Sequence, residues 1–219
     1  MIVDIPNKKM SQKVERLLSG IPGNFSYRPR RVSGLEQLGV FRNNGIRCPE
    51  FTVLLQDARK WVQAGHQVFG RNRNHEQGMD IVDQSSPAWQ GKDFWTKVVP
   101  NKRREYRIHI FDDQHIQQAL KRLDPKALRK RNDGLPIWNT QTGYIYDHNL
   151  EPPSVGVELA RCAVRALDYL WGAVDLLEDE SGTCYVLEVN TAPGMDETTA
   201  QAYGCAIKEY VAKRRSSVR

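Results

Sequence analysis

Two apolar runs, GAVDLLE (172–178) and TCYVLEV (183–189), flank a Ser181-Gly182 turn signal, and no other stretch of the chain constrains its fold as much. Such a pair reads as a β-hairpin. With Ser181-Gly182 as a two-residue turn, Asp175 falls directly opposite Glu188. Asn190 points to the same face two residues on, while Val174, Leu176, Leu187 and Val189 fill the other. Like charges facing each other across a sheet destabilise it, a cost that makes sense with a cation between them. Two carboxylates and an amide oxygen are hard ligands that suit Mg²⁺. The competing reading is a hairpin whose outer face is merely solvated, and the pattern alone leaves both open.

The rest of the chain mixes strand-like and helix-like runs. EYRIHIF (105–111) alternates cleanly, with Tyr106, Ile108 and Ile110 on one face and Glu105, Arg107 and His109 on the other. One face is core; the other carries charge into something wet or liganded. Further strands are expected in HQVFGR, at Ile81-Val82, in FWTKVVP and WNTQTGYIYDH, and in GIRCPEFTVL, where Pro49 interrupts. Helices are expected at Leu35–Asn44 and at Gln56–Ala64, with Gly65 as the stop. Another runs through VGVELARCAVRALDYL with Val155, Leu159, Cys162, Ala166 and Tyr169 inward, and a last one through ETTAQAYGCAIKEYVAKRR with Tyr203 and Ile207 inward. Residues 1–31 read as an extended arm, residues 112–136 as a basic, loop-rich stretch with room for one short helix, and KRRSSVR as a frayed tail. Mixed strands and helices with hairpins make this an α+β fold rather than a doubly wound parallel sheet.

Charge is unevenly spread. Residues 1–31 carry +5, 32–100 carry +1, 101–131 carry +6 and 132–219 carry −6. A basic front suits nucleic acid. The same split suits a phosphorylated ligand held by cations, with its metal ions held by acids, and composition does not choose. No stretch approaches the ~20 apolar residues that span a bilayer. The first residues lack a secretory pattern, so a cytoplasmic protein with no membrane partner is expected. Cys48, Cys162, Cys184 and Cys205 form no C-x-x-C and read as free structural thiols, and the five histidines show no ligand spacing.

Five motifs follow in order: Gly45–Thr52, a strand ending in Arg71 with a polar loop to Ile81, WTKVVP leading into EYRIHIF, GAVD, and EVNTAPG. Together they resemble the ATP-grasp superfamily over residues 33–212, above all its short bacteriophage-type carboxylate–amine ligases. The resemblance implies two α/β subdomains with mainly antiparallel sheets clasping ATP. It divides the chain into a basic arm (1–32), an N-terminal subdomain (33–100) with a flap at 71–80, a C-terminal subdomain (101–212) with the metal-binding hairpin, and a basic tail (213–219).

By resemblance, Asp175 and Glu188 hold Mg²⁺, with Glu188 bridging two ions and Asn190 completing the second. Arg107 grips the γ-phosphate or a developing acyl phosphate, or else forms a structural salt bridge with Glu105 or a nearby carboxylate. Arg71 stands where many relatives carry a phosphate-binding lysine, and Arg73 assists. Lys97, Val98 and Val99 meet adenine: the Lys97 carbonyl accepts from its amino group and the Val99 amide donates to the ring. Glu105 contacts the ribose or pairs with Arg107. Lys121 matches a lysine of related proteins, or belongs with Arg122, Lys126, Arg129, Lys130 and Arg131 to a solvated basic face. Trp138 stands where relatives place an arginine. About 45 residues precede the Gly45 segment, too few for the substrate-binding domain that relatives carry.

The implied activity is an ATP-dependent, ADP-forming carboxylate–amine ligase that works through an acyl phosphate on small-molecule or peptide substrates. A nucleic-acid-linked acceptor, or a partner protein supplying the substrate domain, stays open. Two alternatives also stay open: an ATP-grasp phosphotransferase that stops at a phosphorylated product, and a basic nucleic-acid-binding protein. No Ser/His/Asp or Cys/His nucleophile is evident, and the ligase chemistry needs none.

Overall fold

The computed structural model describes residues 1–73, 80–82, 89–124, 126 and 143–216. In chain order the elements are β1 (Ile2–Asp4), α1 (Lys8–Leu17), β2 (Asn24–Ser26), α2 (Gly34–Asn43), β3 (Phe51–Thr52), α3 (Leu55–Gln63), β4 (Val68–Arg71), β5 (Asp80–Val82), β6 (Phe94–Lys97), β7 (Lys102–Phe111), β8 (Gln114–Leu123), β9 (Tyr144–Asp147), α4 (Ser154–Ala166), β10 (Trp171–Asp179), β11 (Cys184–Asn190) and α5 (Glu197–Ser216).

A five-stranded sheet, ordered β11-β10-β7-β8-β9, is antiparallel throughout. The alternation of β7 works as expected: Tyr106, Ile108 and Ile110 have no exposed surface and face α2 and α4 through one apolar cluster with Phe41, Val174, Leu176 and Val186. A four-stranded antiparallel sheet, β3-β6-β4-β5, stands apart with its own small core of Ala58, Val68, Val82, Trp89 and Trp95. Phe94 points the other way from Trp95 and joins the large cluster, tying the two sheets together.

Four expectations need correction. Residues 1–31 are not an extended arm. Strands β1 and β2 pair in parallel around α1, and Val3, Met10, Val14 and Phe25 bury against Phe111, Trp171, Tyr203 and Ile207. Apolar residues spaced among Pro, Gly and Arg were enough to build this core. Residues 114–123 form a full strand rather than part of a loop, because Gln118 and Lys121 are buried beside polar partners. The face of α4 that meets the core is Gly156, Ala160, Ala163 and Val164, one residue along from the expected face, and Val155 is exposed. Gly156 leaves room there: a Cβ would come within 3.2 Å of Leu176. The tail expected to fray is helical as far as Ser216.

The β10–β11 hairpin reaches the expected pairing by a different route. Its turn takes three residues, Glu180–Gly182, because the Asp179 carboxylate accepts the Ser181 and Thr183 amides at 2.9 Å each. Gly182 supplies the positive φ of +80° that this turn requires. Glu178 therefore pairs with Cys184, one step away from the two-residue frame. A β-bulge at Leu187 restores the frame, and Asp175 lies opposite Glu188. The bulge also turns Leu187 away from the apolar face where it was expected, so that it and Glu188 both reach the cavity described next.

Candidate active site

Between the two larger sheets lies a cavity of about 700 Å³, within the usual size range of small-molecule sites. The four-stranded sheet contributes Phe69, Arg71, Thr96 and Lys97; the five-stranded sheet contributes the wet face of β7, with Lys121, Asp175 and Glu188. Of the site residues expected from sequence, Arg71, Lys97, Val98, Val99, Glu105, Arg107, Lys121, Asp175 and Glu188 come together in its walls. Arg73 and Asn190 do not line it. Arg73 is exposed, its amide donating to Asp93 at 2.7 Å. Asn190 sits behind Glu188 and donates to it through Nδ2 at 2.9 Å. Most of the flap segment, with Gly78, and the Trp138 stretch lie outside the described residues, as do Arg129, Lys130 and Arg131.

Asp175 is the centre of the charged wall. Only 5% of it is exposed. The Arg107 guanidinium grips it with a two-pronged fork, Nε to Oδ1 at 2.7 Å and Nη2 to Oδ2 at 2.8 Å, and Lys121 Nζ reaches Oδ2 at 3.1 Å. Cross-strand register dictates the fork, since Arg107 pairs directly with Asp175. Burial alone would raise the Asp175 carboxyl; Lys121 and Arg107 outweigh it and hold the group well below the ordinary carboxylate range. Burial likewise pulls Arg107 and Lys121 down; the attraction and hydrogen bonds of Asp175 lead the opposing effects in Arg107, Asp175 together with Glu105 in Lys121, and both pKa values end raised.

Glu105 pairs with Lys102 and Lys121, not with Arg107. The lysine expected either at a ligand or on a solvated face is therefore buried in the wall. Tyr146 stacks on Arg107, its ring centre 4.9 Å from the guanidinium carbon. Across the cavity Arg71 lies over the Phe94 ring at 5.6 Å, and burial lowers its pKa while Glu188 opposes that shift. Four cations (Arg71, Lys102, Arg107, Lys121) face three carboxylates (Glu105, Asp175, Glu188), leaving this part of the wall net positive.

At the other end, strand β6 runs out into Val98 and Val99. The Lys97 and Val98 amides are taken by the carbonyls of Glu50 and Gln67 at 2.9 Å each, while the Val99 amide has no acceptor among the described residues. The Lys97 ammonium turns away to Glu50 at 2.8 Å and over Trp61, so it is the backbone of this segment that faces inward.

Several lining residues escaped the sequence reading: Lys102, His109, Tyr146, His148, Asp196 and Thr199. The alternation of β7 carried a signal for His109. Nothing local marked His148 and Asp196, which meet across 48 residues at 2.6 Å. Asp196 also caps α5, accepting the Thr199 amide at 2.9 Å. The loop before it is held by the N-terminal segment, through Asn7 Nδ2 to the Pro193 carbonyl at 3.3 Å and Lys13 Nζ to the Met195 carbonyl at 2.7 Å. Among the described residues, no three His, Cys, Asp or Glu side chains cluster as a metal site.

No protein-family model matches the chain. It is 35% identical over 198 residues to the D-alanine–D-alanine ligase of Pseudoalteromonas translucida, a match covering 80% of this chain and 63% of that enzyme. With the same enzyme of Burkholderia cenocepacia it shares 42% identity over 71 residues, 23% of the relative. The chain thus spans less than two thirds of these relatives. Among solved structures, D-alanine–D-alanine ligase from Bacillus anthracis superposes with a TM-score of 0.59 at 17% identity, over 84% of this chain and 69% of that one. The ATP-grasp ligase PsnB, complexed with a precursor variant, Mg and ADP, gives 0.59 at 12% identity, over 76% of this chain and 52% of that one. The chain has the ATP-grasp fold, and the sequence and structural likenesses together support the ATP-grasp superfamily.

Proposed function

We propose that the chain is an ATP-dependent, ADP-forming carboxylate–amine ligase of the short bacteriophage type. The cavity carries this reading. It gathers two arginines and three lysines, a carboxylate pair on adjacent strands and an inward-facing backbone segment between two sheets. Adenine would lie along Lys97–Val99, using the carbonyl and amide there. The phosphates would lie against Arg71, Arg107 and Lys121, whose excess positive charge suits them. The order of the five sequence motifs supports the bacteriophage type.

The donor set also fits Mg²⁺. Asp175 and Glu188 are carboxylates in register; Asn190 would act from behind Glu188, to which it donates, and a metal ion would share Asp175 with Arg107 and Lys121. Mg²⁺, two ions in this reading, would offset charge on the phosphates. Arg107 has a separate task. Its fork on Asp175 and its contact with the Tyr146 ring hold the guanidinium in place at the cavity wall, where it can share its remaining N–H groups with a phosphoryl oxygen.

The substrate carboxylate would attack the γ-phosphorus, releasing ADP and forming an acyl phosphate. An amine would then displace inorganic phosphate to give the amide. The acid and amine would belong to small molecules or peptides, a reading that PsnB with its precursor supports. Screening acids and amines for ADP release, with mass spectrometry of the products, tests the proposal. Amide product with stoichiometric ADP is expected. A stable phosphorylated product without amide would make the chain a phosphotransferase, and absence of both turnover and ATP binding would sink the reading. Glu188→Gln should lower turnover by about 10²-fold or more. Asp175 variants are poorer probes, because they also strand Arg107 and take one of the two carboxylate partners from Lys121.

A further inference from the structure

Beyond Arg107 the cavity continues one pleat step along β7, and this end is polar without being part of the proposed phosphate site. His109, His148, Met195, Asp196 and Thr199 line it. His109 is 2% exposed, with Nδ1 3.1 Å from the hydroxyl of Tyr203, which is itself wholly buried. Were Nδ1 protonated, the Tyr203 O–H would have no acceptor among the described residues, at a cost of ~1–3 kcal/mol. Tyr203 therefore donates to Nδ1, and the imidazole carries its hydrogen on Nε2. Among the described residues Nε2 has no protein acceptor, and the ring borders the cavity. Ala173, paired with His109 on β10, offers only a methyl group at this level. Strand geometry sets His109 about 7 Å from Arg107 along β7, on the same face.

We propose that the Nε2–H of His109 donates a hydrogen bond to the acyl oxygen of the carboxylate substrate and stabilises the oxyanion formed when the amine attacks the acyl phosphate. This rests on the ligase reading. In that step the amine nitrogen bonds to the acyl carbon and the carbonyl electron pair moves onto the oxygen held by His109. Its return expels inorganic phosphate, and the proton of the amine leaves to solvent. No proton passes through His109. A donor locked in place before the reaction contributes most where water is scarce. The groups facing His109 are Arg107, Asp175, His148, Asp196 and Tyr203. Burial, then repulsion from Arg107, outweigh the two aspartates and push the imidazole down to about 3, so it stays an uncharged donor.

Acetyl phosphate, the simplest acyl phosphate, tests this without knowledge of the natural acid. In protein labelled with nitrogen-15 at histidine, the His109 signal is the one missing from His109→Gln. We expect a neutral ring protonated at Nε2 from pH 5 to 8, shifting on addition of acetyl phosphate, with or without Mg²⁺ and ADP, and not on addition of inorganic phosphate. Protonation at Nδ1, a charged ring at pH 6, or indifference to acetyl phosphate overturns the proposal. Formation of ATP from acetyl phosphate and ADP reads the same contact, because the P–O bond breaks at the bridging oxygen and the acyl oxygen held by His109 shares the charge of the departing acetate. His109→Phe should slow it about 10²-fold while ADP binding holds, and His109→Gln, which keeps an N–H, should recover part of the rate. Equal losses in both variants with weakened ADP binding would assign His109 to packing and overturn the proposal. If the wild-type protein binds no Mg-ADP by calorimetry, the ligase reading falls, while the acetyl phosphate titration still decides the role of His109.

Discussion

Strands of nine or ten residues (β7, β8, β10) form one wall of the cavity, and strands of two to four residues (β3–β6) form the other. Both walls carry cations, but among the described residues only the long-stranded wall buries a network of them. Each of its central strands is paired on both sides, so Arg107, Lys121, Glu105 and Asp175 are fixed by register as much as by their own ion pairs. Arg71, on the short-stranded wall, stacks on Phe94 and is attracted by Glu188 across the cavity. Buried charge needs a scaffold that will not yield, because desolvation is recovered only when the partners stay in place. A wall with few buried apolar contacts is the one that can open for a ligand.

The largest expected effect comes from breaking the rigid wall. Asp175→Ala leaves Arg107 buried without its carboxylate and Lys121 with Glu105 alone, and should cost about 3–5 kcal/mol in urea denaturation. A loss under 1 kcal/mol would mean that the network is worth no more than a surface ion pair. Phe94→Ala tests the tie between the walls. It should cost about 3–5 kcal/mol globally, since the ring sits in the larger core. Trp95→Ala, one residue on but in the small core, should instead raise amide exchange mainly in β3–β6. Equal global losses for the two would erase the distinction between the walls. Gly172→Ala should cost about 1–3 kcal/mol, because its Cβ would lie 2.4 Å from Val189 in a sheet that cannot shift.

The smallest effect is a difference in pH dependence between two histidines of the same cavity. Burial lowers His148, but the hydrogen bonds to Asp196 and the Gln118 carbonyl, with the Asp196 charge, together outweigh it, so its pKa is raised above the ordinary 6.5. Its stabilisation is complete below 6.5 and fades as pH rises through the raised value. His109 is depressed instead, so its stability is complete above 6.5 and is lost as pH falls toward about 3. Urea midpoints between pH 4 and 9 should flatten on the alkaline side in His148→Gln and on the acid side in His109→Gln.

The two walls also differ in how well the sequence announces them. Strand β7 was legible because one face is wholly apolar, and the Asp175–Glu188 pairing was legible although two assumptions behind it were wrong. The extra turn residue and the bulge at Leu187 cancel, and neither leaves a mark in an apolar run. Strand β8 was not legible, since Gln117, Gln118, Lys121 and Arg122 look like loop until the partners that satisfy them are in place. The polar end of the cavity was illegible for a related reason. His109 on β7, His148 after β9, and Asp196 with Tyr203 at the cap and body of α5 come from three segments, and only the fold brings them together. The N-terminal segment was misread because charge and Pro/Gly content hid a core spaced at helical intervals in α1.

That segment has a mechanical consequence. Strands β1 and β2 and helix α1 latch onto α5, with Leu17 and Leu18 against Gly204 and Arg215 close over Gly23. The first and last elements thus form a buckle around everything between them. A force applied through residues 1 and 216 would load this buckle first, in shear across α1 and α5, before either wall of the cavity felt any tension. Single-molecule pulling should therefore show an early, separate yield at the buckle. Because Tyr203 sits on α5, that yield would release His109 while Arg107 and Asp175 were still gripped.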